Sequence, residues 1–201
     1  MRAKDFVNDT VAYHDTLCPI AWQGTDMRPE IRAKLLQIAK TFIGYLEVPN
    51  FQVIDIVLTG SMANYNWTRF SDFDIHVVTR YDDLDADEIA EAFSQAKKKI
   101  WNDNHDITIY GHETELYVED INEPPVSAGT YSLLKDTWLT KPKYNPPSID
   151  AKAVNYKVRD LITQIDHAIS GADDPMDIKR VIDKIRKMRR SGLDSGGEFS
   201  V

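Results

Sequence analysis

IDIVLTGSMANYNWTRFSDFDIHVV, residues 54–78, is the stretch that decides the fold of this chain. It reads as an apolar strand, a small-residue turn at Gly60-Ser61, a short helix at Met62 to Trp67, and a second strand opening with Asp72 and Asp74. Residues two positions apart on a strand point to the same face, so Asp72, Asp74 and His76 share one side and Phe73, Ile75 and Val77 the other. Two carboxylates crowded on one strand face are destabilising unless a cation sits with them. The Gly60-Ser61 turn lets backbone approach an anionic ligand, and the N–H groups opening the segment after it favour a phosphate. A metal on one side and a phosphate on the other is the expectation that the rest of the chain must meet.

Upstream, Pro29 stands at a first helical position, and Ile31, Leu35, Leu36, Ile38, Ala39, Phe42, Ile43 and Leu46 follow a helical period to about Pro49-Asn50. Phe51 to Leu58 is rich in β-branched residues, as a buried central strand would be. Downstream, Asp85 and Glu88 open a helix expected to run to Trp101, with Ile89, Phe93, Ala96 and Ile100 on its apolar face. Two short strands follow, Asp106 to Tyr110 and Glu113 to Val118, joined at Gly111-His112 and placed beside the Asp72 strand. Thr130 to Leu134 and Thr137 to Thr140 form a hairpin around Lys135-Asp136, in which Tyr131, Ser132 and Lys135 serve packing.

Pro142, Pro146 and Pro147 mark a linker, after which two amphipathic helices carry Val154 to Ile169 and Ile178 to Met188. The domain plan is therefore a core with an N-terminal helical arm over 1–148, a C-terminal helical segment over 149–191 and a flexible tail over 192–201. The chain is expected to stop short of a natural terminus at Val201. The fold class is α/β (α+β), with a mixed, mostly antiparallel sheet flanked by helices.

Composition narrows the partners. A 42% hydrophobic and 28% charged chain of 201 residues belongs with folded globular proteins, long enough for one substantial core. No apolar run is long enough to span a bilayer and the N-terminus has no apolar signal core, so the expected location is cytoplasmic, with no membrane partner. The single cysteine, Cys18, excludes an intramolecular disulfide and a Cys-rich zinc site. A net charge of -8 argues against broad non-specific nucleic-acid binding. The last helix alone is basic, carrying Lys179, Arg180, Lys184, Arg186, Lys187, Arg189 and Arg190 against Asp183. Such a run can attract RNA or an acidic partner, although a solvated helix face is the simpler reading.

Phosphoryl chemistry with two metal ions needs several carboxylates on adjacent rigid elements. Asp72 and Asp74 supply two. Glu115, in the run HETELYV, is the best third, with Glu113 on the same predicted face and Asp106 on the preceding strand as alternatives. Ser71 is placed to orient Asp72, and His76 to bond a neighbour.

In these residues the chain resembles the DNA polymerase β-like nucleotidyltransferase superfamily in its minimal form. The resemblance runs from Ile54 to Val118: Leu58-Thr59-Gly60-Ser61, the spacer Met62 to Ser71, Asp72-Phe73-Asp74 and then Glu115. It implies that Asp72, Asp74 and Glu115 are catalytic and bind two ions, Mg²⁺ or Mn²⁺, with Glu115 also helping to activate the acceptor hydroxyl. It implies that Gly60 and Ser61 hold the β- and γ-phosphates of an NTP, with Asn64 and Ser71 also read as nucleotide-binding. The implied reaction moves NMP from the NTP to a hydroxyl of an RNA end, a protein or a small molecule and releases pyrophosphate. One departure stands out, because many members have glycine four residues after the serine and this chain has Tyr65. Two other readings compete: a catalytically silent binding module of the same fold, such as an antitoxin or regulator, and a metal-dependent glycosyltransferase using Asp-x-Asp.

Overall fold

Helix α1 (Pro29–Leu46) starts where Pro29 fixes φ and ends where Glu47 turns left-handed at φ 53°. Its buried side chains, Ile31, Leu35, Ala39, Phe42 and Leu46, recur at three- and four-residue spacings and lie in the hydrophobic core. This is a computed structural model, and it describes residues 13–48, 51–81, 101, 107–123, 127–146, 151–170 and 175–196. Most of the helix expected over Asp85 to Trp101 therefore lies outside the described residues. Trp101 itself is helical and buried, its ring 5.5 Å from Phe42 and 5.0 Å from Tyr45. The N-terminal arm before residue 13 is also outside the description.

Ahead of α1, a small antiparallel hairpin pairs β1 (Trp22–Gln23) with β2 (Asp26–Met27). Sequence periodicity gives no sign of it, since each strand has only two residues. The main sheet has six strands in the order β5-β6-β4-β3-β7-β8. They are β3 (Asp55–Thr59), β4 (Phe73–Thr79), β5 (Thr108–Ile109), β6 (His112–Asp120), β7 (Thr130–Ser132) and β8 (Thr137–Thr140). Every neighbouring pair is antiparallel except β4 with β6, so the sheet is mixed and mostly antiparallel, as the resemblance implies. A parallel pair requires a long crossover rather than a hairpin, which is why β4 and β6 lie far apart in the chain.

Alternation along β4 divides the sheet into two chemical faces. Phe73, Ile75 and Val77 are buried with Ile56, Leu58 and Leu116 in the core that includes α1, whereas Asp74, His76 and Val78 alternate with them and are half-buried. Several boundaries differ from the sequence reading. The segment after Gly60 is a single 3₁₀ turn, Ser61–Ala63, and not a helix to Trp67, because Asn64 is extended and ends it at once. The turn between β5 and β6 is Tyr110-Gly111, one residue earlier than expected. Both residues have positive φ, 51° and 85°, as a tight two-residue hairpin requires.

Two compact units divide the chain, Ala12–Tyr144 and a second containing Asn145–Val201. In the second, α2 (Ala151–Ser170) and α3 (Pro175–Gly196) pack on each other. Lys184 of α3 donates to Gln164 at 2.8 Å and lies 3.8 Å from Asp160, while Arg186 lies 3.8 Å from Asp183. Part of the basic run is thus matched within its own helical pair. Helix α3 continues to Gly196, five residues into the segment read from sequence as tail. No helix among the described residues is long and apolar enough to cross a membrane.

Candidate active site

The sheet register assembles the site. Asp74 on β4 stands opposite Thr59 of β3 on one side and opposite Glu115 of β6 on the other, while Asp72 immediately precedes β4. Ligand oxygens from Asp72, Asp74 and Glu115 all lie within 4.8 Å of one another, and the three residues are half-buried. Among the described residues this is the one cluster of three such side chains able to hold a metal ion. Glu113, two residues before Glu115 on β6, is exposed and outside the cluster, and Asp106 is not among the described residues. An all-oxygen, all-carboxylate donor set suits a hard divalent cation.

Gly60 completes the close packing. Its backbone lies at φ 70°, ψ −162°, a region that essentially only glycine occupies. A Cβ at this position would fall 1.9 Å from Asp74 Oδ2, so the missing side chain leaves room for that carboxylate. The Gly60 N–H donates to Ser127 Oγ at 3.2 Å, and Ser127 Oγ–H donates to the Gly129 carbonyl at 2.9 Å. Gly129 in turn passes so near the turn that a Cβ there would meet the Ala63 carbonyl at 2.1 Å. The segment 127–129 is thus a support for the Gly60-Ser61 turn.

Ser61 and Ser71 join the turn to the carboxylate strand. The Ser61 hydroxyl donates to Ser71 Oγ at 2.7 Å, and the Thr68 N–H donates to the same oxygen at 2.9 Å. The Ser71 carbonyl accepts from His112 Nδ1 at 2.5 Å, which requires the proton on Nδ1 because a carbonyl oxygen only accepts. His112 is buried at the start of β6, so Ser71 ties the approach to Asp72 to the Gly60-Ser61 turn on one side and to β6 on the other. Asn64 is fully buried, and its Oδ1 accepts from the Tyr65 N–H at 2.8 Å, which places it inside the turn.

Tyr65, the departure from the usual glycine, serves packing around the segment that enters the domain. Its ring lies 6.4 Å from Tyr13 and 5.5 Å from Tyr144, and its carbonyl accepts from His14 N–H at 2.8 Å. Nearby, Trp67 stacks on His14 at 3.7 Å and donates to the Thr16 carbonyl. A cleft of about 320 Å³ opens beside Tyr65, lined also by Asp15, Thr16, Trp22 and Thr25, and none of the three carboxylates lines it. On the far hairpin, Tyr131 donates to Asp136 at 2.8 Å and packs against Trp22 and Trp138, in keeping with a packing role. Buried Asp55 accepts from Ser132 Oγ at 2.7 Å and pairs with Lys135 Nζ at 2.9 Å, which ties this hairpin to β3.

Two further polar residues extend the carboxylate face. Tyr117, opposite His76 in the parallel ladder, donates its hydroxyl to Glu115. His76 Nδ1 bonds Glu119 Oε2 at 2.6 Å, and its ring lies 4.9 Å from that of Tyr117. Burial first, then the hydrogen bond to Glu115, then the charges of Glu115, Asp74 and Asp72 raise the Tyr117 phenol well above its ordinary range. Burial likewise pushes Tyr81 up to about 12, reinforced by Glu123, Asp120 and Glu119, and Tyr131 up to about 12, reinforced by its bond to Asp136. All three stay protonated through pH 10, where unfolded tyrosines ionise, so the folded state binds more protons than the unfolded state above that pH. The stability they confer is complete below pH 10 and declines as pH rises from 10 toward 12. An ultraviolet titration of phenolate should therefore show Tyr81, Tyr117 and Tyr131 ionising above pH 10, and Tyr81→Phe and Tyr131→Phe should each remove one late-titrating group.

A mixed sheet that sets three carboxylates on neighbouring strands, beside a glycine-serine turn, has the architecture of a nucleotidyltransferase. The chain belongs to the family described as the nucleotidyltransferase domain, whose sequence model matches residues 40–145, more than half of the chain. No curated protein and no solved structure matches it.

Proposed function

We propose that this chain transfers NMP from an NTP to a hydroxyl acceptor, releasing pyrophosphate, with Mg²⁺ or Mn²⁺ held by Asp72, Asp74 and Glu115. The observation that carries this reading is the convergence of those three carboxylates on β4 and β6 in a member of this family. The oxygen-only donor set fits such an ion, and the missing side chain at Gly60 gives the Asp74 carboxylate the space it occupies. When bound, a pair of ions supplies charge neutralisation for the triphosphate and acidifies the acceptor hydroxyl.

The protein's own contribution is positioning. Asp72 and Asp74 would hold both ions, and Glu115 would complete the ligand set and help activate the hydroxyl. Ser61, with the turn that Gly60 opens, receives the β- and γ-phosphates. Ser71 fixes that turn to the carboxylate strand, and Asn64 shapes it from within. The acceptor oxygen bonds to the α-phosphorus as the bond from that phosphorus to the pyrophosphate oxygen breaks, with no covalent enzyme intermediate. The acceptor belongs to the hydroxyl class, whether on RNA, protein or a small molecule, and the reaction is assigned to the cytoplasm.

The test is pyrophosphate release by the purified chain with each NTP and a panel of RNA ends, proteins and small polyols. Release should depend on Mg²⁺ or Mn²⁺, stop on chelation by EDTA and return when metal is restored. Metal-dependent NTP binding without pyrophosphate from any NTP and acceptor pair would overturn transfer in favour of a silent binding module. Family membership favours NMP transfer over the glycosyltransferase reading.

A further inference from the structure

We propose that Tyr117 is a positioning residue for the metal centre: its hydroxyl fixes the direction of the Glu115 carboxylate, and His76 and Glu119 fix Tyr117. This rests on the metal-site reading above. The parallel register places Glu115 opposite Asp74 and Tyr117 opposite His76, so the four occupy successive rungs on one face of the sheet. Glu115 projects from this face on a side chain with three rotatable bonds. A cation site needs that carboxylate in one orientation, alongside the shorter and stiffer Asp72 and Asp74.

Tyr117 supplies the constraint. Its hydroxyl donates to Glu115 Oε2 from two residues further along the same strand. The ring that carries the hydroxyl is itself backed by His76, at 4.9 Å and 30° between planes, and His76 is held through Nδ1 by Glu119 Oε2 at 2.6 Å. The result is a continuous series, Glu119 to His76 to Tyr117 to Glu115, leading along β4 and β6 into the carboxylate cluster. Simple packing accounts for an aromatic ring at position 117. It does not account for the hydroxyl, which meets a carboxylate of the cluster. Partners that orient metal ligands in this way typically contribute 10–100-fold in metal affinity or activity.

Tyr117→Phe isolates the hydroxyl, because it keeps the ring against His76. Mn²⁺ binding to the full chain, followed by the electron paramagnetic resonance signal of free Mn²⁺, gives a readout independent of activity. The expected result is a dissociation constant raised about 10-fold, in a chain that still melts cooperatively without metal. His76→Ala should raise the constant in the Tyr117 background and add nothing to Tyr117→Phe, since its effect passes through the phenol. Wild-type Mn²⁺ affinity in Tyr117→Phe overturns the proposal, and additive losses in the double variant remove His76 from the series. A wild-type chain that binds no Mn²⁺ overturns the metal-site reading and this proposal with it. A wild-type chain that binds Mn²⁺ but transfers no NMP overturns the proposed function alone, and the comparison of dissociation constants still decides the role of Tyr117.

Discussion

Asp74→Asn is expected to lower metal-dependent NMP transfer at least about 1,000-fold while leaving the metal-free protein as stable as wild type or more so. A thousandfold loss corresponds to about 4 kcal/mol of transition-state stabilisation, the scale expected when a charged residue of the proposed metal-binding trio is lost. Asparagine keeps the shape of the side chain and the backbone pairing with Thr59 and Glu115. It removes the charge and offers an NH₂ group that cannot ligate a cation. In the absence of metal, Asp72, Asp74 and Glu115 repel one another, so deleting one charge relieves the cluster. Function and stability should therefore move in opposite directions, which marks a residue kept for its chemistry. Melting curves with and without Mg²⁺ provide the check: wild type gains stability from the ion and Asp74→Asn does not. Activity within tenfold of wild type, or an unchanged gain from Mg²⁺, would contradict the assignment.

The parts of this site written in local pattern are legible in the sequence, and the parts written in register are not. Alternation in Asp72 to Thr79 is enough to place Asp72, Asp74 and His76 on the face opposite Phe73, Ile75 and Val77, because strand periodicity is a property of neighbours along the chain. Glu115 is a different case. Its choice over Glu113 depends on which residue of β6 falls opposite Asp74, and a parallel register across a long crossover leaves no local signal. The sequence could nominate both and rank them only by position in the run. Tyr117 shares the face of Glu115 by its i, i+2 spacing, a local signal, but its place opposite His76 is again set by register. Tyr65 reads from sequence only as a departure from the glycine that many members have. The structure gives it partners in Tyr13, His14 and Tyr144, far away in the chain, and no local rule predicts such contacts. Ser127 and Gly129 were hidden likewise, since a Ser-Ala-Gly loop acquires meaning only from what it passes.

Gly60→Ala is expected to cost about 2–3 kcal/mol of stability and to lower transfer at least about 100-fold, and the way it does so tests which ligand the glycine serves. Two effects combine. The backbone at φ 70°, ψ −162° is strained for any residue with a Cβ, and the new methyl would meet Asp74 Oδ2 at 1.9 Å and Cγ at 2.9 Å. Gly24→Ala separates them, because Gly24 also has positive φ, 63°, but nothing within 4 Å of its Cβ position. That variant should lose about 1–2 kcal/mol of stability and no activity. The excess in Gly60→Ala is then the displacement of Asp74. The usual argument for glycine at such a turn is close approach of backbone to phosphate. Here the Gly60 N–H is already given to Ser127, and the atom nearest the missing side chain belongs to a carboxylate of the metal cluster. If the phosphate were the reason for this glycine, Gly60→Ala would weaken NTP binding and leave Mn²⁺ affinity intact. If the Asp74 carboxylate is the reason, the loss should appear first in Mn²⁺ affinity measured without nucleotide, and an unchanged Mn²⁺ isotherm would leave the phosphate as the reason for Gly60.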